Sequence, residues 1–175
     1  MRLTGSYLDP LGERCMNAPH RHCIFCDLIQ GAAEVSVCYE DTTAMAFMDV
    51  QPVNLGHTLV VPKKHYESLK DVPRDIAMHL FDVAMTLAPV IQRAAGCDDM
   101  NIVVNSGHQA GQNVFHYHVH LIPRRADDNF EIALPFEGST MPDRTFLDAI
   151  AARIIAGLRD PARHVPQPAR AVAVG

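Results

Sequence analysis

No stretch of this chain approaches the roughly 18 to 20 consecutive apolar residues that span a bilayer as a helix. Its first twenty residues also lack the basic-then-apolar order of a secretory signal. Both absences argue against a membrane or exported protein, and the expectation is a cytoplasmic one. An excess of positive charge is missing too, since 15 Lys and Arg stand against 20 Asp and Glu. A net charge of -5 offers no broad basic surface to duplex nucleic acid, so any nucleotide contact should be local and pocket-like. Nor is there a disulfide framework. Cys15, Cys23, Cys26, Cys38 and Cys97 are an odd, scattered set in which only Cys23 and Cys26 lie close together.

What is present is enough for one core, since 175 residues at 48% hydrophobic content suit a single domain. Residues 1–21 mix Gly, Pro, Asp and Arg without a period and read as a loose leader within which Met16 is an alternative start. Residues 22–158 read as the domain, and 159–175, with Pro161, Pro166 and Pro168, as a disordered tail. A short helix after Cys23 should stop at Gly31. Strands are expected at Val35 to Tyr39, Thr43 to Met48, His57 to Val61, Asn101 to Asn105 and Phe115 to Ile122. Ile76, Leu80, Val83, Leu87 and Ile91 recur at helical spacing between Pro73 and Gly96, and Pro89 should kink that helix near its end. A last helix follows Pro142, with Asp143 as its cap and Phe146, Ile150, Ile154 and Leu158 on one face. The fold class is therefore α+β: a five-stranded, mainly antiparallel sheet, one long helix and a C-terminal helix.

Chemistry concentrates at His116-Tyr117-His118-Val119-His120. Side chains on a strand alternate between faces, so the three imidazoles emerge together while Tyr117, Val119 and Leu121 point into a core. Three groups titrating near neutrality on one face suit a nucleophile, a proton carrier or metal ligands. A metal-dependent hydrolase is the competing reading, although no carboxylate lies within the stretch. Cys23-Ile24-Phe25-Cys26 has the spacing of half a zinc site, with His65 and one triplet histidine as candidates for the rest. Redox pairs and inert buried thiols share that spacing.

Gly56 to His65, Asn105, Gly111-Gln112 and the triplet, taken together, resemble the histidine-triad superfamily of nucleotide hydrolases and transferases, from about Cys23 to Arg124. The resemblance implies that His118 is a nucleophile attacking the α-phosphorus of a nucleotide, with a nucleotidyl-histidine resolved by water. It implies that His120 touches phosphate oxygens, that Asn105 and Gln112 donate hydrogen bonds there, and that His57 packs behind the triplet. Asn113 stands where relatives often carry a hydroxyl residue, and it retains a backbone or amide donor. Asp49 is implied as the ribose ligand, and Phe25 and Phe47, with Leu55, as the slot for the base. Zinc-containing branches place a structural ion among positions that are Cys23, Cys26, His65 and His116 here. The implied protein is a homodimer that hydrolyses a purine nucleoside 5'-phosphate derivative, an adenosine phosphoramidate or a dinucleoside polyphosphate, to the monophosphate. Nucleotidyl transfer to phosphate or a sugar phosphate, and a nucleotide-binding module with incidental turnover, are the alternatives.

Overall fold

A computed structural model of the chain describes residues 23–132 and 142–159. The leader expected over 1–21, and all but the first residue of the tail expected over 159–175, lie outside the described residues. The described chain divides into two units between Phe130 and Glu131.

The first unit runs α1 (Ile24–Ile29), β1 (Val37–Glu40), β2 (Ala44–Met48), β3 (Thr58–Pro62), α2 (Arg74–Ala95), β4 (Asp99–Val103) and β5 (Val119–Arg124). The strands form one antiparallel sheet in the order β1-β2-β3-β5-β4. The β1–β2 hairpin turns on Asp41, whose carboxylate accepts the Thr43 and Ala44 amides, both at 2.7 Å. The helix expected around Ile76 to Ile91 is α2, which begins after Pro73, runs through Pro89 without a break and ends at Gly96 in the left-handed conformation (φ 66°).

Alternation along the strands divides the residues between two faces. Ala44, Ala46, Val60, Tyr117, Val119 and Leu121 pack with Leu80, Val83, Leu87 and Ile91 of α2. Met45, Phe47, Leu59 and Val61 face the other way and pack with Phe25 of α1. His120 pairs with Leu59, and Leu59 with Phe47, so the histidine belongs to the face opposite α2. Gly56 closes the turn before β3. A Cβ there would lie 3.2 Å from both Ala95 and Pro123 on a backbone with φ of +94°, so glycine alone fits.

β1, β2 and β3 begin one or two residues later than expected, at Val37, Ala44 and Thr58, and the shifts of β4 and β5 have identifiable causes. β5 starts at Val119 rather than Phe115, because the Tyr117 amide donates to the Tyr66 carbonyl (2.6 Å), outside the sheet ladders. β4 spans Asp99–Val103 rather than 101–105, since its register is set by Asp99 and Met100 pairing with Arg124 and Pro123. In the second unit, α3 (Arg144–Leu158) carries the expected cap, with Asp143 Oδ1 accepting the Phe146 amide at 2.8 Å.

Tyr117 is 1% exposed, and among the described residues its hydroxyl finds no hydrogen-bond partner. A buried phenol in that condition forfeits its hydration. Tyr117→Phe is therefore expected to hold or raise stability by about 1 kcal/mol in urea denaturation. A clear loss would reveal a partner for the hydroxyl.

Candidate active site and metal centre

Segment 112–118 is suspended from segment 62–67 before β5 begins. The His116 ring donates through Nε2 to the Pro62 carbonyl (2.8 Å), the Tyr117 amide donates to Tyr66, and the Gln112 amide donates to the Glu67 carbonyl (2.6 Å). These bonds fix which nitrogen of each triplet histidine carries the proton. A carbonyl only accepts, so His116 is protonated on Nε2 and keeps its lone pair on Nδ1. His118 places Nδ1 2.6 Å from the His116 carbonyl, so that nitrogen holds the proton and Nε2 keeps the lone pair. The Val53 amide donates to His57 Nδ1 (3.2 Å), which puts the His57 proton on Nε2, 3.0 Å from His120 Nδ1. His120 is then left with its N–H at Nε2. An imidazole in the His118 state can serve as a nucleophile, and one in the His120 state as a donor to a charged oxygen.

The two rings stand 4.7 Å apart between centroids. Asp49 joins them from the end of β2: its amide donates to the His57 carbonyl, and its Oδ2 lies 3.5 Å from His57 Nδ1. Its Oδ1 accepts the Gln51 amide (2.8 Å). Asp49, His57 and His120 thus form a second group of ligand-type atoms within 4.8 Å of one another, a grouping the sequence did not announce.

Burial is the largest influence on all three rings. It lowers the pKa of His57 and of His118, and together with the neighbouring His118 and His57 it pushes His120 down to about 4 against the pull of Asp49. An unfolded histidine keeps the ordinary 6.5. Between those values the unfolded chain binds a proton that the folded chain refuses, so stability is full above 6.5 and falls as pH drops toward 4. Burial opposes ionisation of Asp41, but the Ala44 and Thr43 amides hold its carboxyl below the usual range, so it titrates further to acid. His120→Gln is expected to flatten the decline in urea melts stepped through that window. An unchanged slope would assign the proton uptake elsewhere.

Cys23, Cys26, His65 and His116 converge on the other side of Phe25. Their ligand atoms lie within 4.8 Å of one another, with Cys23 Sγ 3.4 Å from His116 Nδ1 and Cys26 Sγ 3.4 Å from His65 Nδ1. A hydrogen bond from Cys26 is the largest influence on the Cys23 thiol and, against the effect of burial, lowers its pKa far below the ordinary value. Thiolate sulfur and an Nδ1 lone pair fixed by Pro62 are the donor states a metal needs. The four residues fit a metal ion.

The remaining expected residues are placed unevenly. Phe25 and Phe47 are 7% and 2% exposed and meet edge-on at 5.4 Å, whereas Leu55 is 77% exposed. Gln112 is buried, with both amide hydrogens committed to the Glu67 and Val114 carbonyls and its oxygen accepting the Gly107 amide. Asn105 Nδ2 reaches the Gly111 carbonyl at 3.5 Å, and Asn113 is exposed. Sequence reasoning missed the backbone groups that set the tautomers, the Pro62 and His116 carbonyls and the Val53 amide. No side-chain pattern marks them.

Fold and site together define a histidine-triad domain of the nucleotide hydrolase and transferase superfamily. Residues 30–127 match the HIT domain family model, and the chain belongs to that family. It is 34% identical to a protein of Streptococcus mutans whose crystal structure superposes with a TM-score of 0.74, covering 90% of this chain and 99% of that one. A zinc-bound histidine triad family protein from Mycobacterium smegmatis superposes with a TM-score of 0.60 at 32% identity, over 77% of this chain and 96% of that one. The adenylylsulfatase HINT3 of Arabidopsis thaliana is 36% identical over 106 residues, which are 61% of this chain and 54% of that protein.

Proposed function

We propose that the protein hydrolyses a purine nucleoside 5'-phosphate derivative to the nucleoside monophosphate through a nucleotidyl-histidine. The observation that carries this is the His118 tautomer, whose Nδ1 proton is held by the His116 carbonyl while Nε2 keeps its lone pair beside His120. His118 Nε2 attacks the α-phosphorus and expels the leaving group, and water then attacks the same phosphorus to release the histidine. His120 donates its Nε2 proton to a phosphate or leaving-group oxygen, and His57 keeps it in that tautomer. Asp49 accepts from the ribose hydroxyls through Oδ2, the oxygen that Gln51 does not occupy. Asn105 and Asn113 supply donors near the phosphate, while Gln112 acts mainly by holding the loop in place. Phe25 and Phe47 floor the slot for the base.

Zinc is the metal this reading assigns to Cys23, Cys26, His65 and His116, in keeping with the zinc-bound relative. With four protein ligands it would be a closed structural ion. A single catalytic metal on the whole triplet is disfavoured by grouping alone, since His116 and His120 fall in separate clusters and His118 in neither. The protein acts as a homodimer, and the exposed Met78, Phe81 and Met85 on the outer face of α2 offer apolar surface for it. A cytoplasmic location completes the reading. Among the described residues no helix is long and apolar enough to cross a membrane.

The leaving group is to be read from a product assay on adenosine phosphoramidate, diadenosine tetraphosphate and an adenylyl sulfate, the last chosen for the adenylylsulfatase relative. AMP released from at least one, without added phosphate or sugar phosphate, is the expected outcome. Release only when such an acceptor is added would turn the assignment to nucleotidyl transfer, and tight AMP binding without turnover would turn it to a binding module.

A further inference from the structure

We propose that the Cys/His metal centre is a positioning device for His118, and that Phe25 is the second arm of that device. This rests on the reading of His118 as the nucleophile.

Two separate links join the centre to that ring. The first is His116, which offers Nδ1 to the cysteine side, 3.4 Å from Cys23 Sγ and 3.7 Å from Cys26 Sγ, while its own carbonyl takes the His118 Nδ1 proton at 2.6 Å. One residue therefore both belongs to the ligand cluster and sets the tautomer of the nucleophile. The second is Phe25, which lies in sequence between Cys23 and Cys26 and meets the His118 ring edge-on, at 5.3 Å and 90°. The same ring meets His116 at 5.8 Å and Phe47 at 5.4 Å. The His118 ring is thus bounded by the His116 carbonyl, by Phe25 and by His120.

What holds Phe25 there is the point of weakness. The α1 helix has six residues, too few to be stable unaided, and its only buried residue is Phe25. A metal bound by Cys23 and Cys26 on one side and by His65 and His116 on the other clamps α1 against the segment that carries His118. Without it, the Phe25 edge and the His116 carbonyl are both released, and the His118 ring gains freedom to rotate and to exchange tautomers. Asp49, placed for the ribose, sits at the end of β2 and outside this clamp. Loss of the metal should therefore leave the ribose ligand in place and act first on the chemical step.

The test uses the full chain with histidine ring nitrogens labelled. It compares the zinc-loaded protein, the chelator-stripped protein with its fold checked by circular dichroism, and zinc-loaded Phe25→Ala with its metal content verified. Nitrogen NMR reads the His118 tautomer, AMP titration reads affinity, and single-turnover kinetics read the rate of loss of adenosine phosphoramidate. The loaded wild type should show one Nδ1-protonated form. The stripped protein and Phe25→Ala should each show a mixture of forms, with a single-turnover rate reduced on the order of a hundredfold. AMP affinity of the stripped protein should change less than about threefold, whereas Phe25→Ala also loses part of the base slot and is read by tautomer and saturating single-turnover rate rather than by affinity. Returning zinc should restore the stripped protein.

A folded, stripped protein with an unchanged tautomer and rate would overturn the proposal, as would a zinc-loaded Phe25→Ala with both unchanged. If stripping unfolds the chain, the Phe25→Ala arm decides alone. A loaded wild type that turns over nothing would sink the nucleophile reading, while the tautomer comparison would still judge the coupling.

Discussion

His118→Ala is expected to abolish turnover, by at least about four orders of magnitude, while AMP affinity stays within a few fold of the wild type. The asymmetry follows from where the groups sit. Removing the imidazole removes the Nε2 lone pair that faces His120 from the triplet, so the proposed two-step route loses its covalent partner. The groups proposed for ribose and base, Asp49 and Phe47 among them, lie on other elements, and the substitution leaves them in place. His118 is 5% exposed and packs on Phe25, so the alanine variant also leaves a gap. His118→Asn fills more of it and serves as the control for folding. Both variants should melt cooperatively and bind AMP, and neither should release AMP from a substrate. Full turnover in either would reassign the nucleophile.

The second large effect is expected at Cys23. Cys23→Ala removes one of the four proposed ligands and should abolish stoichiometric zinc, lowering stability by about 3 kcal/mol or more. The magnitude has a physical source in α1, a six-residue helix with one buried side chain. A metal that binds only the folded chain adds its binding free energy to folding, and the variant forfeits it. Cys97→Ala is the matched control. Cys97 lies outside the cluster, and its thiol makes a long contact with the Asp99 carbonyl, at 3.5 Å. It should change metal content not at all and stability by less than about 0.5 kcal/mol. Metal analysis beside urea denaturation reads both variants, and a Cys23→Ala protein with full zinc content would dissolve the assigned ligand set.

Much of this molecule was legible in the sequence because its signals are local. The α2 helix announces itself through the spacing of Leu80, Val83, Leu87 and Ile91 and stops where Gly96 takes the left-handed conformation. Asp143 caps α3 as its position before the apolar run indicates. Alternation correctly sent Tyr117, Val119 and Leu121 to the core under α2. Strand ends were less legible, since they depend on partners distant in sequence. Nothing near Phe115 says that the Tyr117 amide will turn to Tyr66, and nothing near Asn101 says that pairing will begin with Asp99 against Arg124.

The candidate site divides in the same way. Its residues could be named from the triplet and from the resemblance, and Cys23, Cys26, His65 and His116 do come together. Their protonation states could not, because each is dictated by a backbone group: Pro62 for His116, His116 for His118, and Val53 for His57. Gln112 is the instructive case. The resemblance casts it as a donor to phosphate, yet the structure spends both its amide hydrogens on carbonyls of the chain.

The most direct test of the account is intact-mass spectrometry of the protein after rapid quenching at alkaline pH, with adenosine phosphoramidate, diadenosine tetraphosphate and an adenylyl sulfate supplied separately. The account predicts a transient mass increase of one nucleotidyl group, located on His118 by fragmentation and absent from His118→Ala. AMP formed at full rate with no such adduct at any quench time, or an adduct that persists in His118→Ala, would contradict it.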